Sequence, residues 1–155
     1  MNASGATGVL FTAGVVVALF FLIFPLFWCA IVGLIARMGW RRLAAAYPAT
    51  SDPPYSATRI RFATISIGDA IAGPNYGSSI NAWLSETGLW LRPILLFRFS
   101  HPMIFIPWAG VQSVESERRF LVSRAHVRLE SGMPDLWLSG RLGRVVLERG
   151  LGKHR

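Results

Sequence analysis

The stretch INAWLSETGLWL, Ile80 to Leu91, decides how the C-terminal two thirds of this chain are read. Ile80 to Leu84 has the composition of a strand, and Leu89 to Leu91 that of its partner. Between them Ser85-Glu86-Thr87-Gly88 is a tight turn, and Gly88 suits the left-handed position that closes such a hairpin.

Short strands continue on both sides. Upstream, Arg59-Ile60-Arg61-Phe62 alternates polar and apolar residues, and Ile65 and Ile67 continue the alternation in the opposite phase. One extra residue near Ala63-Thr64, as in a β-bulge, accounts for that slip. Ala72 to Gly77 reads as a loop from its Gly, Pro and Asn content. Downstream, Ile94 to Phe99 is expected as a third strand, parted from the second by Pro93. Ser100-His101-Pro102 turns the chain, and Met103 to Ile106 is a fourth strand that Pro107 confines to an edge or an end. Phe120 to Ser123 and Ala125 to Glu130 give two more, followed by a turn at Ser131 to Pro134.

The last element is expected to be a helix capped by Ser139 and ended by Gly150. Leu142, Val145 and Val146 form its apolar stripe, while Arg141, Arg144 and Glu148 lie off it.

Towards the N-terminus the pattern changes. PATSDPPYS, Pro48 to Ser56, has no periodicity and reads as a semi-stiff proline-rich linker. Before it, GVLFTAGVVVALFFLIFPLFWCAIVGLIA carries no charge from Gly8 to Ala36, and no Asp, Glu, Lys or Arg occurs before Arg37. As a helix that run reaches roughly 40 Å, whereas the hydrocarbon core needs only about 20 residues. Tilt or burial among headgroups absorbs the excess. Pro25 lies mid-run, where a kink is tolerated if neighbouring groups satisfy the freed carbonyl.

A cleaved signal peptide would carry a basic n-region and a shorter apolar stretch, and MNASGAT has no basic side chain. Arg37, Arg41 and Arg42 directly follow the run, so the positive-inside rule directs the C-terminal part to the cytoplasm. Trp40 is expected at headgroup level among these arginines, with the helix continuing through MGWRRLAAAYP until Pro48 stops it. Asn2-Ala3-Ser4 matches a glycosylation sequon by chance.

The expected fold class is therefore a membrane-anchored α+β protein. One transmembrane helix with its juxtamembrane extension fills residues 1–47, a linker 48–56, and a small antiparallel β-domain with a C-terminal helix 57–155.

Several segments resemble those of small bacterial single-pass membrane proteins carrying a pleckstrin-homology-like or GRAM-like domain. They are Trp83 to Leu91 (WLSETGLWL), His101-Pro102, Ile106 to Val111 (IPWAGV) and Gly39 to Pro48 (GWRRLAAAYP). The resemblance covers roughly Gly39 to Gly150. It implies a pleckstrin-homology-like partial barrel at the inner membrane. It transfers no catalytic residue, and ligands vary within the group, so fold alone supplies no function.

Composition narrows the function classes. The formal net charge is +8, which favours anionic partners such as lipid headgroups or nucleic acid. The anchor puts membrane ahead, and no nucleic-acid partner is expected. Cys29 is the only cysteine, which excludes an intrachain disulfide and a cysteine-based zinc site.

His101, His126 and His154 have no metal-ligand spacing and read as turn, surface and tail residues. Glu115 and Glu117 share a face if extended, as an acid–base pair would, but Arg118 and Arg119 beside them favour a solvated charged turn. No nucleophile elbow or phosphate loop occurs. No catalytic residue, metal, cofactor or small-molecule substrate is therefore expected.

The membrane-interface residues are Arg37, Trp40, Arg41 and Arg42, and the candidate interaction surface is Trp83, Trp90, Arg141 and Arg144. The leading expectation is a non-enzymatic interaction module tethered to the lipid bilayer, engaging a protein partner or a second copy of itself. Recognition of anionic lipid by the domain comes second, and a membrane-associated enzyme third.

Overall fold

The computed structural model describes residues 3–69, 72–119, 122–130 and 132–152. An apolar N-terminal helix, α1 (Ala3–Arg37), leads into a short helix, α2 (Trp40–Ala46). Among the described residues seven strands follow: β1 (Thr58–Ile67), β2 (Asn75–Leu84), β3 (Gly88–Pro93), β4 (Ile104–Pro107), β5 (Val111–Arg119), β6 (Val122–Leu129) and β7 (Leu136–Ser139). The chain closes on α3 (Gly140–Gly152). All pairings are antiparallel, in the order β4-β3-β2-β1-β7-β6-β5, and the sheet curls into a half-barrel.

The hairpin that anchors the sequence reading pairs Trp83 with Trp90 and Leu84 with Leu89. Its turn is closed by Ser85 N–H donating to the Gly88 carbonyl at 3.0 Å. Gly88 serves a different purpose from the one expected. It takes no positive φ, and a Cβ there would lie 2.4 Å from the Ile106 carbonyl oxygen and 2.5 Å from the Phe105 ring. Close approach of β4, rather than left-handed geometry, requires the glycine.

Strand β1 is buried on one face by Ile60 and Ala63 and then by Ile65 and Ile67. The slip of phase is real, though its extra residue falls between Ile60 and Ala63, where Phe62 has φ 55°. Strand β2 bulges as well, between its partners for Ala63 and Ile65. There Ser78 has φ 49°, and its N–H donates to Thr64 Oγ1 at 2.9 Å. These bulges sharpen the bend at which a sheet curls.

Four further expectations are corrected. Helix α1 does not run on through Trp40, because Gly39 at φ 153° breaks it. A Cβ at Gly39 would lie 2.7 Å from Ile67 Cγ2, so the break is also where the chain touches β1. Ile94 to Phe99 is not a strand. Pro93 ends β3, and Leu95–Phe97 forms a 3₁₀ turn. The stretch around Glu115 and Glu117 is not a turn but strand β5, at the sheet edge. The segment expected as a loop to Gly77 already enters β2 at Asn75.

The proline-rich segment also differs from a free spacer. Pro48 bridges Ile104, Ala49 N–H donates to the Met103 carbonyl at 3.3 Å, and Phe105 N–H donates to the Tyr47 carbonyl at 3.0 Å. The chain then crosses from the β4 side of the sheet to the start of β1. It passes over the face that carries Trp83 and Arg92.

The core lies between the concave side of the sheet, α2 and α3. Trp40, Leu43, Ile65, Ile80, Leu91, Ile104, Leu138, Leu142 and Val146 are its centre. Leu142 and Val146 are buried with Val145 packed beside them, while Arg141, Arg144 and Glu148 face solvent, as the helical stripe implied. The start of the expected strand at Phe120, the turn residue Ser131, Asn2 of the sequon and the tail with His154 lie outside the described residues.

Candidate functional site

Helix α1 changes character along its length. From Phe11 to Phe27 every side chain is exposed, including Phe20, Phe21, Leu22, Phe24, Leu26 and Phe27. From Trp28 onwards the β-domain covers one face, and Val32 and Ala36 are fully buried. Phe11–Arg37, 27 residues, is long and apolar enough to cross a membrane.

The contact on α1 is made by the β3–β4 connection. Trp28 Nε1 donates to the Leu96 carbonyl at 3.0 Å, and its ring lies 5.5 Å from that of Phe97. Higher on the helix, the Gly33 position lies within 4 Å of Phe99 and Ser100. Arg41 Nη2 donates to Ser100 Oγ at 3.0 Å. The connection therefore descends α1 towards its N-terminus, from Ser100 down to Leu96.

At the top of this descent is a buried aromatic node. Trp40 is 0% exposed, and its Nε1 donates to the Pro102 carbonyl at 2.9 Å. Its ring lies 5.3 Å from both Tyr76 and His101. Trp40 is thus a core residue and does not face outward among the arginines. The break at Gly39 separates Trp40 from α1, and the indole is in the core while Arg37, Arg41 and Arg42 stay exposed.

His101 is likewise buried rather than a surface turn residue. The Phe99 carbonyl, 2.8 Å from Nδ1, can only accept, so Nδ1 carries the proton. In the neutral ring Nε2 then accepts from the Tyr76 hydroxyl at 3.0 Å. Burial holds His101 below the ordinary histidine range; the Phe99 hydrogen bond opposes this, and the Arg41 charge adds to it. Burial also pushes Tyr76 up, so its hydroxyl stays protonated.

The candidate interaction residues divide. Trp83 is half-buried beneath the Arg59 guanidinium, 5.1 Å from the ring centroid. Trp90 shares the face opposite the core but is only 4% exposed and lies 4.1 Å from Phe105, so it is not an open recognition surface. Arg141 and Arg144 are exposed. With Arg59, Arg61 and Phe62, Arg141 lines a cleft of about 470 Å³ between the bulge of β1 and the start of α3.

His126, expected on a polar strand face, is nearly buried. Its ring stacks on Trp137 at 3.9 Å, and Nε2 meets Asp135 Oδ2 at 2.8 Å. Glu115 lies opposite it on β5 and accepts from Ser113 Oγ at 3.1 Å. Among the described residues no group of three or more His, Cys, Asp or Glu side chains converges as metal ligands would.

Sequence reasoning did not single out Trp28, Leu95, Leu96 or Phe99. The available signal was that Ile94-Leu95-Leu96-Phe97 does not alternate, as a half-buried strand should. Comparison with family models, curated proteins and solved structures finds no match to this chain.

Proposed function

We propose that the protein is a single-pass, non-enzymatic interaction module that holds a pleckstrin-homology-like half-barrel at the inner face of a bacterial membrane. The observation that carries this reading is the bare apolar surface of α1 from Phe11 to Phe27. Each large apolar side chain left in water forgoes roughly 1.5–3 kcal/mol of burial, and no described residue of the β-domain covers this stretch. From Gly8 to Phe27 the helix rises about 29 Å, which matches a hydrocarbon core of roughly 30 Å. Trp28 then falls at the boundary, where an indole with a satisfied N–H is favoured.

A cleaved leader has less support. Removing α1 would strip Val32 and Ala36 from their buried positions and Trp28 from its bond to Leu96. Exposed Arg37, Arg41 and Arg42 at the C-terminal end of α1 favour a cytoplasmic domain. Support for the pleckstrin-homology-like reading comes from the curled antiparallel sheet with its C-terminal helix.

The cleft lined by Arg59, Arg61 and Arg141 is cationic, which suits an acidic segment of a partner protein. Crosslinking of the full chain in native membranes should recover a partner or an oligomer that Arg61→Glu with Arg141→Glu abolishes. A strictly monomeric, partner-free protein would contradict the module.

The same arginines favour a second reading, contact with anionic headgroups. Under that reading a loss of charge in Arg61→Glu weakens association with anionic lipid, and salt weakens it further. A membrane-associated enzyme has the least support, because His101 and His126 are engaged by Tyr76 and Asp135 and neither lines the cleft between β1 and α3.

A further inference from the structure

We propose that the β3–β4 connection is a second membrane contact: Leu95, Leu96 and Phe99 enter the boundary between headgroups and acyl chains beside α1. The inference rests on α1 spanning the bilayer and goes beyond it, because a tether alone leaves the domain free of the surface.

Three apolar side chains are displayed on this connection, Leu95 at 77%, Leu96 at 60% and Phe99 at 55% exposure. They are adjacent in space to the apolar face of α1, so the two form one continuous surface. A stacked row runs along the helix from Phe20 to Phe24 at 5.2 Å and from Phe24 to Trp28 at 6.3 Å. It passes to Phe97 at 5.5 Å. An exposed apolar patch of this kind marks an interaction site.

Depth identifies the occupant. The Leu96 carbonyl is bonded to Trp28, and Trp28 lies about 14 Å along the helix before Arg37. Leu95 and Leu96 therefore sit at the level of the uncharged helix, well below its cationic end. A soluble partner docking there would have to displace the lipid that covers Phe24 and Phe27. The charges agree: exposed Arg98 lies between Phe97 and Phe99, and Arg41 is held at Ser100. Guanidinium groups above apolar side chains suit an anionic interface. Part of the backbone polarity is also met. The Leu96 carbonyl accepts from Trp28, and Phe97 N–H donates to Ile94 and Arg98 N–H to Leu95. That lowers the cost of placing a loop at this depth.

With α1 through the bilayer and the connection seated in its surface, the half-barrel meets the membrane at two points.

The test uses the full chain carrying Cys29→Ser, reconstituted alone into vesicles of phosphatidylethanolamine and phosphatidylglycerol. Nitroxide labels are placed singly at Leu95→Cys, Leu96→Cys, Phe20→Cys and Glu117→Cys. Collision with oxygen, which partitions into lipid, is compared with collision with a water-soluble nickel chelate. The expected result is that labels at 95, 96 and 20 collide more with oxygen, and the label at 117 more with nickel. Labels at 95 and 96 that favour nickel while 20 favours oxygen would overturn this inference and leave the anchor standing. Nickel preference at 20 as well would overturn both. Shielding of 95 and 96 from both reagents would mean a second copy covers them, and would also overturn it. These leucines are exposed, so labelling leaves the core intact.

Discussion

Trp28 and Leu96 are joined across the chain by an indole hydrogen bond of 3.0 Å, and that bond marks where the apolar helix stops being bare. N-terminal to it the side chains of α1 from Phe11 face outward; C-terminal to it Val32 and Ala36 enter the domain's interior. The helix is therefore a structural member of the half-barrel and not an appendage to it.

Gly39 is where anchor and sheet meet. Gly39→Ala is expected to destabilise the protein by on the order of 3 kcal/mol, from the φ of 153° and the 2.7 Å approach to Ile67. Denaturant unfolding in mild detergent, followed by near-ultraviolet circular dichroism, measures it. In an Ile67→Ala background the steric part should vanish and the backbone part remain.

Trp40 distinguishes a core residue from an interfacial one. Trp40→Ala should cost about 3–5 kcal/mol in the same assay, as for other large buried side chains. Trp40→Phe should cost less, since it keeps most of the volume and loses the bond to Pro102. An interfacial tryptophan would instead give a small loss of stability for both.

His101 sets a pH dependence. Its folded pKa is depressed by burial, so below the ordinary value of about 6.5 the unfolded chain takes up a proton that the folded chain refuses. The contribution is complete above that value and is lost as pH falls towards the folded pKa. Unfolding midpoints measured from pH 8 to pH 5 should decline in the lower half of the range, and His101→Gln should flatten the decline. A wild-type midpoint that stays level to pH 5 would contradict the neutral, Tyr76-bonded histidine.

Arg149 clamps the end of α3 to the β2–β3 turn. Its Nη1 donates to the Ser85 carbonyl at 2.6 Å, its Nη2 to Glu86, and its guanidinium lies 5.4 Å from the Trp108 ring centroid. Arg149→Ala should cost about 1.5–3 kcal/mol through the charged hydrogen bond to the carbonyl. Glu86→Gln should leave stability nearly unchanged, because that carboxylate is 94% exposed and surface ion pairs contribute little. Thermal midpoints of the two variants make the comparison.

Strand periodicity made most of the sheet readable. The hairpin from Ile80 to Leu91, the slip in β1 and the stripe on α3 all follow from local alternation or helical spacing. What escaped was decided by long-range contact. Trp40 between arginines has the local signature of an interface, and only its long-range contacts with Tyr76, His101 and Pro102 make it a core residue. Val111 to Arg119 carries too much charge to look like a strand, because an edge strand with one solvated face needs few apolar residues. Ile94 to Phe99 is apolar enough for a strand, yet Leu95, Leu96 and Phe99 are turned out beside α1 rather than into the core.

The central claim is that α1 crosses the membrane and fixes the half-barrel on its cytoplasmic side. The direct measurement is cysteine accessibility to a membrane-impermeant maleimide in bacterial cells expressing the full chain with Cys29→Ser. The account predicts that Ser4→Cys is labelled in intact cells and Glu117→Cys only after the inner membrane is permeabilised. Labelling of Glu117→Cys in intact cells, or release of the protein from membranes by alkaline carbonate, would contradict it.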